Sequence, residues 1–161
     1  MWQTVPNMHP AGLVFDLTRL YPDSPGQGEE FLGRGGLEEM AKRVLVIEDE
    51  PNIIEAISFI LSRDGWTVHT HADGASAMAR VRATPPDLII LDVMLPGRSG
   101  YDILRDLRAD PATIDLPVMM LTARGQAKDR ELAERLGVSQ FMTKPFSNAE
   151  VLAAVRRLMT P

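Results

Sequence analysis

Four short apolar runs in this chain each stop on a residue suited to handling a phosphoryl group. Val44–Ile47 stops at Glu48 and Asp49, Leu88–Leu91 at Asp92, Val118–Leu121 at Thr122, and Phe141-Met142-Thr143 at Lys144. Three carboxylates, a hydroxyl and an ammonium are useful together only if the runs are parallel strands of one doubly wound sheet, whose strand ends line one edge where ligands bind. In that arrangement the set suits metal-assisted phosphoryl chemistry on a carboxylate: an oxygen nucleophile, oxygen ligands for a hard cation, and donors for the phosphoryl oxygens.

The elements needed to hold these residues are legible from Arg43 onward. The pattern predicts strand 43–47, helix 52–63, strand 67–71, helix 74–82, strand 87–91, helix 101–108, strand 117–121, helix 128–136, strand 140–142 and helix 148–159. Ile53, Ile54, Ile57, Ile60 and Leu61 form a stripe of helical period. Leu88–Leu91 and Val118–Leu121 are apolar without interruption, as strands covered on both faces should be. Gly65 and Gly137 stand where left-handed helix caps belong, and Asp73 and Ser147 where side-chain caps do. Five βα units with right-handed crossovers make a three-layer α/β/α sandwich.

Composition bounds the rest. The chain has 161 residues, is 45% hydrophobic and contains no cysteine, so it can bury a core but cannot build disulfides or thiolate metal sites. Its apolar runs fall far short of the roughly 18 residues of a membrane span, and a cytoplasmic protein without membrane contact is expected. Residues 1–39 hold ten of the 24 glycines and prolines, and six acidic against two basic residues. This segment is expected to be a flexible, dispensable leader, in which only Leu13, Val14, Leu17, Leu20 and Tyr21 fall at helical spacing, ahead of a domain over 40–161. That domain has 15 basic and 16 acidic residues and no basic stripe, so direct nucleic-acid binding is not expected. Arg156 and Arg157 read as a solvated last helical turn, His69 and His71 as exposed strand residues, and the methionines as core fillers.

Taken in order, Glu48-Asp49, the run Asp92-Val93-Met94-Leu95-Pro96-Gly97, Thr122-Ala123 and Lys144-Pro145-Phe146 resemble the receiver domains of bacterial two-component response regulators, over about residues 42–159. The resemblance implies a flavodoxin-like sheet of strand order 2-1-3-4-5. It makes Asp92 the acceptor of a phosphoryl group from a phosphohistidine, on a sensor histidine kinase or a phosphotransfer protein. It implies Mg²⁺ held by Asp49, Asp92 and the Met94 carbonyl, with Glu48 reaching the ion through water. Lys144, Thr122 and the amides of Met94 and Ala123 would face the phosphoryl oxygens, and Lys144-Pro145 would be cis. Thr122 and Phe141 would form the switch, and the readout face would be helix four, strand five and helix five, including Arg130, Gln140, Glu150 and Ala154. Met94 and Arg124 would shield the phosphoryl group from water and slow its loss.

The resemblance further implies a phosphoprotein that is not an enzyme in its own right. A monomer or phosphorylation-dependent dimer is expected, although Ser139, Gln140 and Ala154 stand where many relatives carry charges that pair across a dimer. With no output module after the last helix, a single-domain regulator is expected, acting on an unknown downstream protein. Two other readings compete: an interaction module on the same fold that ignores phosphorylation, and an aspartyl-phosphate phosphatase of the haloacid-dehalogenase type. The latter typically needs a second acid two residues after the nucleophile, where this chain has Met94.

Overall fold

A computed structural model of the chain describes residues 41–160; the leader expected over residues 1–39 lies outside them. Five parallel strands, β1 Arg43–Ile47, β2 Thr67–His71, β3 Leu88–Asp92, β4 Val118–Thr122 and β5 Gln140–Thr143, form one sheet in the order β2-β1-β3-β4-β5. The helices between and after them are α1 Pro51–Arg63, α2 Ala77–Ala83, α3 Gly100–Ala109, α4 Ala127–Arg135 and α5 Asn148–Met159.

The period-two alternation of each strand sorts its side chains into two cores. Leu45, Ile47, Ile89, Leu91, Val118, Met120 and Phe141 pack under α2, α3 and α4, which supply Met78, Val81, Ile103, Leu104, Leu107 and Ala133. Val44, Val46, Leu88, Ile90, Met119 and Leu121 pack under α1 and α5, against Ile57, Leu61, Val151, Ala154 and Val155. The expected three-layer sandwich is therefore present, and β1, β3 and β4 are buried on both faces. Fully burying each large aliphatic side chain stabilises the fold by roughly 1.5–3 kcal/mol, so the central strands are its most strongly held part.

Three departures from the sequence expectation have physical causes. First, β3 ends at Asp92 and β4 at Thr122, one residue later than expected, because both residues still pair: Asp92 lies beside Leu121 and Thr122 beside Thr143. The two residues are thus inside the sheet, not on loops. Second, α2 begins at Ala77 and not at Gly74. The Asp73 carboxylate accepts from the Ser76 amide and hydroxyl at 2.9 and 2.7 Å, closing a turn ahead of the helix. The loop after β3 occupies the adjoining space, since a Cβ on Gly74 would collide with the Arg98 carbonyl oxygen. Third, Arg156 is exposed in the last turn of α5 as expected, but it also has a partner that the sequence did not show. It is ion-paired with Asp64, donating from Nε to Asp64 Oδ2 at 3.1 Å, and holds that carboxyl below its usual range. Arg157 donates to Gln140 Oε1 at 2.8 Å.

Other local signals hold. Gly65 and Gly137 have φ of 91° and 87°, and Ser147 and Glu150 complete a reciprocal capping box at α5. His69 and His71 depart from the exposed placement expected of them: both are half-buried in β2, and His71 Nε2 lies 2.8 Å from Ser76 Oγ. Met78, Met119 and Met120 are core residues, whereas Met94 is 63% exposed.

Candidate functional site

The register of the sheet assembles the site. β1 and β3 run side by side up to Ile47 and Leu91, so Glu48 emerges from β1 beside Asp92, the last residue of β3. Beside them Val93 donates to the Leu121 carbonyl at 3.0 Å, and Lys144 donates to the Thr122 carbonyl at 2.7 Å. These backbone bonds bring together residues up to about a hundred positions apart. Carboxylate oxygens of Glu48, Asp49 and Asp92 all lie within 4.8 Å of one another. Glu48 and Asp92 are buried, Asp49 is exposed, and Thr122 is buried beside them at the end of β4. The Lys144-Pro145 peptide is cis, as the resemblance implied.

Each buried charge has an identifiable partner. Glu48 Oε1 accepts from the Asp49 and Glu50 amides at 3.0 and 3.1 Å, so the first turn of backbone after β1 holds that carboxylate in place. Its other oxygen, Oε2, stands 2.8 Å from Lys144 Nζ but receives no aligned hydrogen bond although it is fully buried. Lys144 Nζ also reaches Asp92 Oδ1 at 3.5 Å and donates to Glu50 Oε1 at 2.8 Å. Burial first, and then the Glu48 carboxylate, push the Asp92 carboxyl up to about 6, against the pull of Lys144 and the Met94 amide. Burial opposes the charge of Lys144, but Glu48, Glu50 and Asp92 outweigh it and hold the ammonium above the ordinary lysine range. At neutral pH Asp92 is therefore mostly ionised, and Lys144 is charged.

The carboxylate group passes a simple test of fit for Mg²⁺. Its donors are all oxygens, they converge, and one buried oxygen has no aligned donor, which a hard cation or its water could engage. The geometry also distinguishes Glu48 from the other two acids. It is fully buried and already tied to two amides and a lysine, whereas Asp49 is open to solvent.

Thr122 and Phe141, expected to form a switch, stand in unlike surroundings. The Thr122 hydroxyl donates to the Arg124 carbonyl at 3.1 Å and accepts from the Arg124 amide at 3.0 Å, so it is engaged with its own loop. Phe141 is already inside at 5% exposure, with the Arg130 guanidinium 5.3 Å from its ring centroid. Met94, Ala123 and Arg124 are exposed at the mouth of the site. Two residues not assigned to the site from the sequence belong beside it. Gly100 packs so tightly that a Cβ would collide with the Asp92 carbonyl oxygen. Glu50 is the other, and the only signal for it is the unbroken acidic run Glu48-Asp49-Glu50.

Comparison with known proteins agrees with this geometry. The family profile of the response regulator receiver domain matches residues 44–156, and the chain belongs to that family. Among curated proteins it is 42% identical over 120 residues to the phosphate regulon transcriptional regulatory protein PhoB of Escherichia coli. That match covers 74% of this chain and 52% of the relative. A probable transcriptional regulatory protein of Mycobacterium tuberculosis, TcrX, is 43% identical over 116 residues, covering 72% of this chain and 49% of that protein. The chain thus spans about half the length of the curated relatives it matches. A solved structure of a response regulator from Chloroflexus aurantiacus superposes with a TM-score of 0.70 at 30% identity, covering 73% of this chain and 97% of that one. The chemotaxis protein CheY4 of Vibrio cholerae gives 0.70 at 27% identity, with 74% and 99% covered. Receiver domains bind Mg²⁺ at an acidic pocket and act as phosphoacceptors in two-component systems, and the acidic pocket is present here. No helix among the described residues is long and apolar enough to cross a membrane.

Proposed function

We propose that this chain accepts a phosphoryl group on Asp92 from a phosphohistidine of a sensor histidine kinase or phosphotransfer protein, and signals through the surface of α4, β5 and α5. The observation that carries the reading is the meeting of Asp92 with Glu48, Asp49 and Lys144 at one sheet edge. An Asp92 carboxylate oxygen attacks phosphorus; the new P–O bond forms as the P–N bond breaks, and the electron pair leaves on the imidazole nitrogen. Asp49, Asp92 and the Met94 carbonyl would hold Mg²⁺, with Glu48 as its outer partner. When bound, the ion offsets charge on the phosphoryl oxygens. Lys144 supplies a second positive charge from within reach of Asp92, and the amides of Met94 and Ala123 are donors for the remaining oxygens. Thr122 must give up its bond to the Arg124 carbonyl to reach a phosphoryl oxygen, which couples occupancy of Asp92 to the loop leading into α4.

Output by protein contact is the companion proposal. It is supported by the balanced charge of residues 40–161 and by the cleft along Gln140, Phe141, Ala154 and Arg157 on the readout face. The names of curated relatives favour a second reading, in which such a domain controls a DNA-binding partner segment, since one relative is a DNA-binding response regulator, MtrA of Mycolicibacterium smegmatis. Acetyl phosphate with Mg²⁺ tests the central claim. One phosphoryl group per chain should be added, stable to acid and labile to hydroxylamine, and absent from Asp92→Asn. Unchanged labelling of that variant would refute the assignment.

A further inference from the structure

Lys144 is shared among three carboxylates, and one of them has no part in the cation-binding group. Its Nζ lies 2.8 Å from Glu48 Oε2, 2.8 Å from Glu50 Oε1 and 3.5 Å from Asp92 Oδ1. Of these three contacts the aligned hydrogen bond goes to Glu50 Oε1, and Asp92 is the most distant partner. Glu48 is immobilised by the backbone, but Glu50 is half exposed. It occupies the cap position of α1, yet its side chain makes no capping hydrogen bond there, so its carboxylate serves no helix-start role that would explain its orientation.

We propose that Glu50 is a positioning residue that draws Lys144 away from the acceptor and so weakens the hold of the site on a phosphoryl group. The inference rests on the proposed role of Asp92 and deepens it. A phosphoryl group on Asp92 needs the Lys144 ammonium for one of its oxygens. Glu50 competes for the same hydrogens, and its negative charge also repels the incoming group. The chain thereby limits the population of its phosphorylated form without altering the nucleophile or the cation ligands.

The test uses beryllium trifluoride, a tetrahedral phosphoryl mimic, titrated by calorimetry into the full chain at saturating Mg²⁺. A partly exposed ion pair has modest strength, so Glu50→Gln should bind the mimic about three- to tenfold more tightly than the natural chain. Its melting temperature in the absence of cation should be unchanged or lower, because the Lys144 pairing is lost. Affinity and stability moving apart in this way is not what loss of a purely structural residue would do. Equal or weaker binding by Glu50→Gln overturns the proposal, and weaker binding would instead make Glu50 a contributor to cation binding. Tighter binding with a higher cation-free melting temperature would mean general relief of charge, and overturns it too. If the natural chain neither binds the mimic nor takes label from acetyl phosphate, the assignment of Asp92 itself fails, which is a distinct result.

Discussion

Ionised Asp92 should destabilise the fold when no cation is bound, and Asp92→Asn should remove that cost. The carboxyl is 2% exposed and titrates near 6, about two pH units above its ordinary 3.8, burial being the main cause and Glu48 the next. Each pH unit corresponds to about 1.4 kcal/mol, so the ionised form costs on the order of 2–3 kcal/mol. Direct repulsion is of the same order, since two unit charges within 4.8 Å interact by about 3–4 kcal/mol at an effective dielectric near 20, before Lys144 offsets part of it. The sign comes from proton binding. Between 3.8 and about 6 the folded chain holds more protons than the unfolded one, so this contribution to stability is present below 3.8 and is lost as pH rises through 6. Thermal melts in chelator should therefore show Asp92→Asn above the natural chain by about 5–12 °C at pH 8, by about half of that at pH 5, and by little at pH 4. A gain of equal size at every pH, or none at pH 8, would refute the reasoning, because the cost would then not be that of an ionised buried carboxyl.

Other expected outcomes rest on the same geometry. Asp49→Asn should raise the cation-free melting temperature by less than Asp92→Asn, since Asp49 is exposed, and should remove most of the stabilisation that added Mg²⁺ confers; differential scanning fluorimetry across a Mg²⁺ series measures both. Gly100→Ala should lower stability by roughly 1–3 kcal/mol, because its Cβ would collide with the backbone at Asp92 and Val93. Urea denaturation measures the loss, and acetyl phosphate labelling of the folded fraction should fall with it as the nucleophile is displaced.

The residue types and their order carried a large part of this protein. Ile47, Leu91 and Leu121 are buried ends of apolar runs, and each run gives way to a chemically distinctive residue, so Glu48, Asp49, Asp92, Thr122 and Lys144 were identifiable without coordinates. Parallel strands covered by crossover helices make a three-layer sandwich, which the alternation of elements specified, whereas the strand order β2-β1-β3-β4-β5 was expected only through the resemblance to receiver domains. Local geometry was harder to read. The start of α2 depended on the loop after β3 packing against Gly74, a contact between segments distant in sequence.

Pairing among charged side chains belonged to tertiary structure alone. Arg156 found Asp64 across 92 positions, and Lys144 found Glu50 across 94, because α1, α5 and the end of β5 converge at distances no periodicity encodes. The raised titration of Asp92 likewise comes from burial and from Glu48 lying close to it, neither of which is a property of the aspartate or its sequence neighbours. Sequence specified which groups could act because side-chain chemistry is local, whereas their charge state and partners depended on distances and desolvation that exist only once the sheet has closed.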